Sequence, residues 1–414
     1  MNTVAPLLQT TARRLIQSGS RCLGSEASQP KEAPTGDPFQ TFYHRDLIVT
    51  PAGPTVRRPK PKHGDTLKFG HNYADHMVDV NWDDKKGWHR PELKPLQPFM
   101  IHPGAKVLHY AIELFEGMKA YRGVDNRIRL FRPEMNMQRM KMTAKRSALP
   151  DFDAEELIQI MSEQIQLDAD WVPASSTSSL YLRPTLIGTD PTLGVGEAHM
   201  AKLFVLSGPV GAYYATGFQP VSLLADAKYC RAYSGGVGGY KMGCNYAPTI
   251  WVGQMAAAKG CQQVLWLHGD DETLTEVGTM NIFVYWINEN GEEELVTPPL
   301  TSGLILPGVT RDSIIDLGRK WGEFAVNERK ITMSQVRKAL DEGRLLEMFG
   351  AGTACVVSPV DRILHKNQKT NTLDELHIPT MRHNPSVMQR FYDVLTDIQY
   401  GRSDLMPGWT RIVA

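Results

Sequence analysis

The chain has 414 residues, 45 basic and 45 acidic side chains, and a hydrophobic share of 42%. A formal net charge of zero gives no bulk attraction to nucleic acid or to an anionic membrane, and no run approaches the 18 apolar residues of a membrane span. Cys22, Cys230, Cys244, Cys261 and Cys355 are too few and too scattered for a disulfide framework or a structural zinc site, so no metal is expected.

Residues 1–27 carry Arg13, Arg14 and Arg21 and no acid before Glu26, with Leu7, Leu8, Leu15 and Ile16 able to line one helical face. That composition predicts a mitochondrial transit peptide, with a plain disordered tail as the alternative. Residues 28–66, rich in proline and charge, read as a linker or arm without a core of its own.

A small N-terminal domain is expected over 67–212, starting near Phe69. Tyr73 to Trp82 suits a strand. Leu108, Ile112 and Phe115 recur at helical spacing and predict one or two turns before Gly117. IRLFRP, 128–133, reads as a strand, and Pro133 opens a helix buried through Met137, Met140 and Ala144. On pattern alone, Arg139 on that helix belongs to a solvated face. Asp153 and Glu156 box the next helix, whose face is Leu157, Ile160, Met161 and Ile165. In the strand 178–188, Tyr181 and Arg183 share a side. A phenol beside a guanidinium can clamp a carboxylate or simply face water at an edge. The apolar run 201–211 reads as a central strand, and 213–219 as the interdomain loop.

A larger C-terminal domain is expected over 220–414. It opens on the strand PVSLLAD and reaches GGVGGYKMGCNY, 235–246, where Lys241 stands among glycines. A phosphate loop is excluded, because Tyr240 and Met242 stand where that motif needs glycine and a hydroxyl. A surface loop and a Schiff-base lysine remain open. If the latter, Gly238 and Gly239 would let the backbone pass close beneath a flat ring. A helix follows from Pro248 to Gly260. LTEVGTMNIFVYWIN reads as one long apolar strand, and Glu276 at its start needs a partner. Asn290-Gly291 marks a hairpin. Free N–H groups at Gly308-Val309-Thr310, where a helix starts, can hold a phosphate, and the GAGT turn with Thr353 offers a second anion nest. Thr332 and Gln335 box another helix, and Val387, Phe391, Val394 and Ile398 are the inner face of the last one.

Taken in order, LFEGMKAYRG, FRPEMNMQRM, SLYLRP, GGVGGYKMGCNYAPT, LTEVGTMNIFV, ILPGVTRDSI and FGAGTACVVSP resemble the branched-chain amino-acid aminotransferases, and the transit-like start resembles their mitochondrial form in animals. The resemblance implies a two-domain α+β or α/β fold of the fold type IV pyridoxal-phosphate class, similar to D-amino-acid aminotransferase. It implies pyridoxal 5'-phosphate on Lys241, with Glu276 at the pyridine nitrogen and Tyr246 at the ring oxygen. Arg139, Val309, Thr310 and Thr353 would take the phosphate. Phe69, Phe115, Tyr246 and Thr279 would form an apolar box, completed by Tyr110 and Val195 of a second subunit in a homodimer with shared sites. Tyr181 and Arg183 would serve a distal carboxylate, and the turn at Thr353-Ala354 the α-carboxylate. The implied reaction passes amino groups from leucine, isoleucine and valine to 2-oxoglutarate by a ping-pong route, the first step of branched-chain amino-acid catabolism, in the mitochondrial matrix. The alternatives are D-amino-acid transamination, aminodeoxychorismate lyase chemistry, or a scaffold that retains the fold. One departure stands out: where the mammalian mitochondrial form has a CxxC, this chain has Cys355-Val356-Val357-Ser358, which cannot close a disulfide.

Overall fold

Strands buried in largely continuous runs build two large sheets. The computed structural model describes residues 41–62, 65–211, 219–368, 370–382 and 384–414. The transit segment and most of the 213–219 loop lie outside the described residues.

The first sheet runs Ile48–Val49, Glu92–Pro95, His76–Asp83, Met200–Val210, Ser179–Gly188, Met118–Arg122, Ile128–Phe131, Thr410–Ile412. The apolar strand Met200–Val210 is interior, as its composition predicts, flanked by His76–Asp83 and Ser179–Gly188. Helices Pro133–Arg146 and Ala154–Leu167 bring Met137, Met140, Ala144, Leu157, Ile160, Met161 and Ile165 into one core with the strands. The last strand returns from the far end of the chain to this sheet, where Thr410 pairs with Phe131.

The second sheet runs Thr273–Val277, Gln263–His268, Val221–Asp226, Val356–Lys366, Leu345–Gly352, Met280–Ile287, Glu293–Thr297, Ala325–Glu328. Its pairings are mixed: Val221–Asp226 is parallel to both neighbours, whereas Leu345–Gly352 is antiparallel to both of its own. Helices Val309–Trp321 and Val387–Gln399 add Ile314, Leu317, Phe391 and Ile398 to a core over this sheet.

Three expectations are corrected. The second half of the presumed linker is docked: Phe42 is buried edge-on to Trp88 and stacked on Phe152, and Ala52 donates its N–H to His76. Proline and charge dominated the composition, and one aromatic anchor outweighs them; truncating a buried Phe costs about 3–5 kcal/mol. Of the one or two helical turns expected before Gly117 there is one, Lys106–Tyr110, and it does not extend to Ile112 or Phe115. Ala111 at φ 49° ends it, and Phe115 lies in the strand Glu113–Phe115. The stretch 273–287 is not one strand but a hairpin. Gly278 at φ 57° turns the chain, so that Val277 pairs with Met280; a two-residue turn needs such a residue. At the helix Ala154–Leu167, Asp153 caps the N–H groups of Glu155 and Glu156, while the Glu156 carboxylate accepts from the N–H of His44.

Candidate active site

The functional pocket lies where the loops and strand ends of both sheets meet. Its volume is about 490 Å³, and Arg139, Lys241, Tyr246, Thr279, Val309, Thr310, Thr353 and Ala354 line it together with Phe69, Phe115, Tyr181 and Arg183. Twelve of the fifteen predicted residues therefore share one cavity. The exceptions are Glu276, Tyr110 and Val195.

Lys241 follows the glycine run and is fixed through its backbone. Its N–H donates to Thr143 Oγ1 at 3.2 Å, and its carbonyl accepts from the N–H of Phe115 at 3.2 Å. The Nζ donates to the Tyr246 hydroxyl at 3.2 Å and lies 4.8 Å from the Phe115 ring centre. The glycines upstream act differently from expectation. A Cβ on Gly238 would stand 2.7 Å from the Leu304 carbonyl oxygen, and one on Gly239 would meet the Ile305 carbonyl at 3.5 Å. These glycines pack the run against the 303–305 loop and do not line the pocket. Gly243 does line it, and a Cβ there would stand 1.7 Å from a Glu113 carboxylate oxygen.

Arg139 is buried, not solvated. Its Nε and Nη2 reach the two oxygens of Glu116 at 2.6 and 2.7 Å, and Nη1 donates to the Pro307 carbonyl at 3.0 Å. Asn136 adds a bond to Glu116 at 2.8 Å. Burial alone would push the Glu116 carboxyl up; the Arg139 guanidinium outweighs it and holds the group below the ordinary glutamate range. A guanidinium has five N–H donors, so two remain for a ligand. Glu116 went unnoticed in the sequence. The signal was present, since an acid between Phe115 and Gly117 in an apolar run needs a partner for the same reason as Glu276.

Glu276 lies behind the pocket. It accepts from the Leu306 N–H at 2.7 Å and pairs with Arg231 Nε at 3.0 Å, both side chains almost fully buried. Burial pushes its carboxyl up, and Arg231 works against that. Leu306 and Asn281, which contact Glu276, are themselves in the pocket wall. The turn before Val309–Trp321 is close-packed here, for a Cβ on Gly308 would stand 2.1 Å from Asn281 Oδ1.

At the other end, Arg183 Nη2 donates to the Tyr181 hydroxyl at 3.1 Å, so the two side chains share one side of the strand as alternation predicts. The guanidinium carbon lies 4.7 Å from the Phe115 ring centre, and the buried Nε has no partner. Phe69 packs edge-on to Tyr181 at 4.8 Å, and Phe115 against Tyr246 at 4.9 Å. Glu113 also lines this end; burial pushes its carboxyl up, opposed by Arg183. Tyr110 and Val195 are 38% and 83% exposed, and the Tyr110 hydroxyl donates to the Leu193 carbonyl.

An amine and an open guanidinium, each against the same aromatic ring, are the groups with which a site can handle small anionic molecules through an amino group. The Amino-transferase class IV family matches residues 113–363. The chain is 63% identical over 412 residues to the cytosolic branched-chain-amino-acid aminotransferase of Caenorhabditis elegans, covering 98% of this chain and 99% of that one. It is 53% identical to the mitochondrial enzyme of Rattus norvegicus, over 87% and 90% of the two chains. The branched-chain aminotransferase of Thermoproteus uzoniensis, solved with norvaline, shares the fold: TM-score 0.63, 22% identity, 81% of this chain and 99% of that one. The chain belongs to the branched-chain-amino-acid aminotransferases, within the class IV aminotransferase family.

Proposed function

We propose that the protein passes the amino group of L-leucine, L-isoleucine and L-valine to 2-oxoglutarate, with pyridoxal 5'-phosphate as cofactor. One observation carries the reading: the Phe115 ring touches both the Lys241 amine and the Arg183 guanidinium. An apolar tail can lie on that ring, and a distal carboxylate can reach the cation beside it, so one pocket suits both substrate kinds.

The residues present fit the cofactor. Arg139 keeps two spare N–H donors beside Val309, Thr310 and Thr353, which together would hold a phosphate. The Glu276 carboxylate, kept in place by Leu306 and Arg231, would hold a proton on a ring nitrogen. Tyr246 would meet the ring oxygen. When bound, pyridoxal phosphate supplies an aldehyde that takes up amino groups and a ring that spreads the electrons freed at the substrate's α-carbon. Lys241 would take the proton from that carbon as general base and, as general acid, deliver it to the former aldehyde carbon. Tyr246 orients the amine through its hydroxyl. Thr353 and Ala354 offer N–H groups to the α-carboxylate, and Phe69, Phe115 and Thr279 keep water from the apolar tail.

The test is transamination by the purified protein with added cofactor. L-Leucine with 2-oxoglutarate is expected to turn over, and Lys241→Ala to lose at least a thousandfold, on the order of 4 kcal/mol. Turnover of D-alanine in place of L-leucine, or near-normal activity of the variant, overturns the reading.

Two further readings rest on narrower support. Tyr110 and Val195 stand outside the cavity and exposed, which suits residues lent to a second copy in a homodimer. Tyr110→Ala coexpressed with Lys241→Ala should then regain activity in mixed dimers, and no regain excludes sharing. Mitochondrial matrix location is supported by the arginine-rich, acid-poor residues 1–27. The Caenorhabditis elegans relative, named cytosolic, aligns over 98% of this chain. Cell fractionation decides, and recovery of the full-length protein in the cytosol rejects the matrix.

A further inference from the structure

A second cavity, about 350 Å³, shares only Ala354 and Cys355 with the pocket above. Its wall carries Lys119, and among its described lining residues there is no carboxylate. Lys119 is 7% exposed. It lies on the strand Met118–Arg122, opposite Tyr181 in register. An ammonium has three N–H donors; the structure gives this one a single acceptor, the Ala354 carbonyl at 2.7 Å. The nearest thiol is no counter-ion, since burial pushes Cys355 up to about 12.

Two more lining groups are left without partners. Ser358 Oγ and Gln399 Oε1 are buried, their residues 2% and 3% exposed, and neither has a hydrogen bond. A hydroxyl rotates to donate, and an amide turned half round presents its NH₂. Buried polar groups are rarely left unsatisfied without an ion, water or ligand to account for them. A cation without a counter-ion, lining the same cavity as a residue with a free hydroxyl and one with a free amide oxygen, has the composition of an anion site.

We propose that this cavity is a second ligand site, which takes a small monoanion such as a short carboxylate on Lys119, Ser358 and Gln399. The site does not depend on the substrate reading given above. It borders the active pocket through one turn. Lys119 holds the carbonyl of Ala354, and Ala354 lines both cavities. An anion that draws the ammonium away from that carbonyl would loosen the turn that faces the substrate. Occupancy would therefore change substrate affinity without blocking the pocket. Burial lowers the Lys119 amine to about 8, in keeping with a cation that gains from such a ligand.

The test uses the cofactor-loaded full-length protein and calorimetric titration with sodium acetate at constant ionic strength. Wild type should bind acetate at one site more per chain than Lys119→Met does. Ser358→Ala should weaken that extra site about tenfold and keep the remaining binding. Sodium sulfate and sodium chloride, titrated in parallel, tell an organic carboxylate from an inorganic anion. A second readout is the KM for the amino donor. Acetate should shift it with an uncompetitive or mixed component in wild type, and this component should vanish in Ser358→Ala. Identical isotherms for wild type, Lys119→Met and Ser358→Ala overturn the proposal, as does purely competitive inhibition that is the same in wild type and Ser358→Ala.

Discussion

Two arginines line the pocket, and they are held in opposite ways. Arg139 is locked to Glu116 by two short bonds and to the Pro307 carbonyl by a third. Arg183 has a phenol, an aromatic face and an unpartnered Nε. The first is half spent on the fold, while the second is held ready for a ligand. Removing one member of a buried pair strands the other charge, so the first arginine belongs to stability as well as binding. Among the described residues Arg183 has no carboxylate bonded to it, so removing it costs chiefly whatever it would have bound.

The largest effect should come from breaking the locked pair. Glu116→Gln leaves Arg139 buried without its counter-charge and should destabilise the protein by about 3–5 kcal/mol, read by urea unfolding at pH 7. The sign with pH follows from the lowered Glu116 carboxyl. Stability from this pair is fully present above the unfolded value, about 4.3, and is lost as pH falls through the lower folded value. The gap between wild type and variant should hold from pH 7 to 5 and shrink only below about 4. A gap that closes by pH 6 would contradict the assignment.

Next is the open arginine. Arg183→Met should leave unfolding nearly unchanged and raise the KM for glutamate and 2-oxoglutarate about 10- to 100-fold, the worth of a charge-assisted bond of about 1.5–3 kcal/mol. The KM for leucine should move far less. Equal losses for leucine and glutamate would remove the contrast between the two arginines.

A smaller effect is expected where the clamp meets Gly117. A Cβ there would stand 2.0 Å from the Tyr181 hydroxyl oxygen. Gly117→Ala should push the phenol aside and weaken 2-oxoglutarate about tenfold, since displacement of a positioning group by an ångström costs that much or more. Steady-state kinetics with both oxo acids checks it. Least of all should change in Gly239→Ala, whose Cβ meets only ordinary contact at 3.5 Å. Cofactor retention, followed by dialysis and absorbance, should match wild type.

The same contrast shows what the sequence could disclose. Tyr181 and Arg183 are readable as neighbours on one side because strand alternation is local and places residues two apart together. Arg139 is not readable as buried, because helical pattern put it on a wet face; its partner Glu116 comes from another element, and only the resemblance pointed to its role. Caps at Asp153 and Thr332 and glycine stops at Gly322 and Gly401 are local and were legible. The hairpin at Gly278 was missed because apolar residues run through both of its strands, which hides the turn. Phe42 shows the reverse limit, for the docking of an arm depends on Trp88 and Phe152, far along the chain.

The returning strand Thr410–Ile412 has a consequence for synthesis. Its partner Ile128–Phe131 is made about 280 residues earlier. Until the late strand emerges from the ribosome, the first sheet has an exposed edge, open to other chains. Pairing at such a separation is slow, because the loop must close before the contact contributes. The nascent protein should therefore be most prone to aggregate before residues 410–412 have emerged, and chains cut short of residue 410 should engage chaperones longer than chains that include that strand.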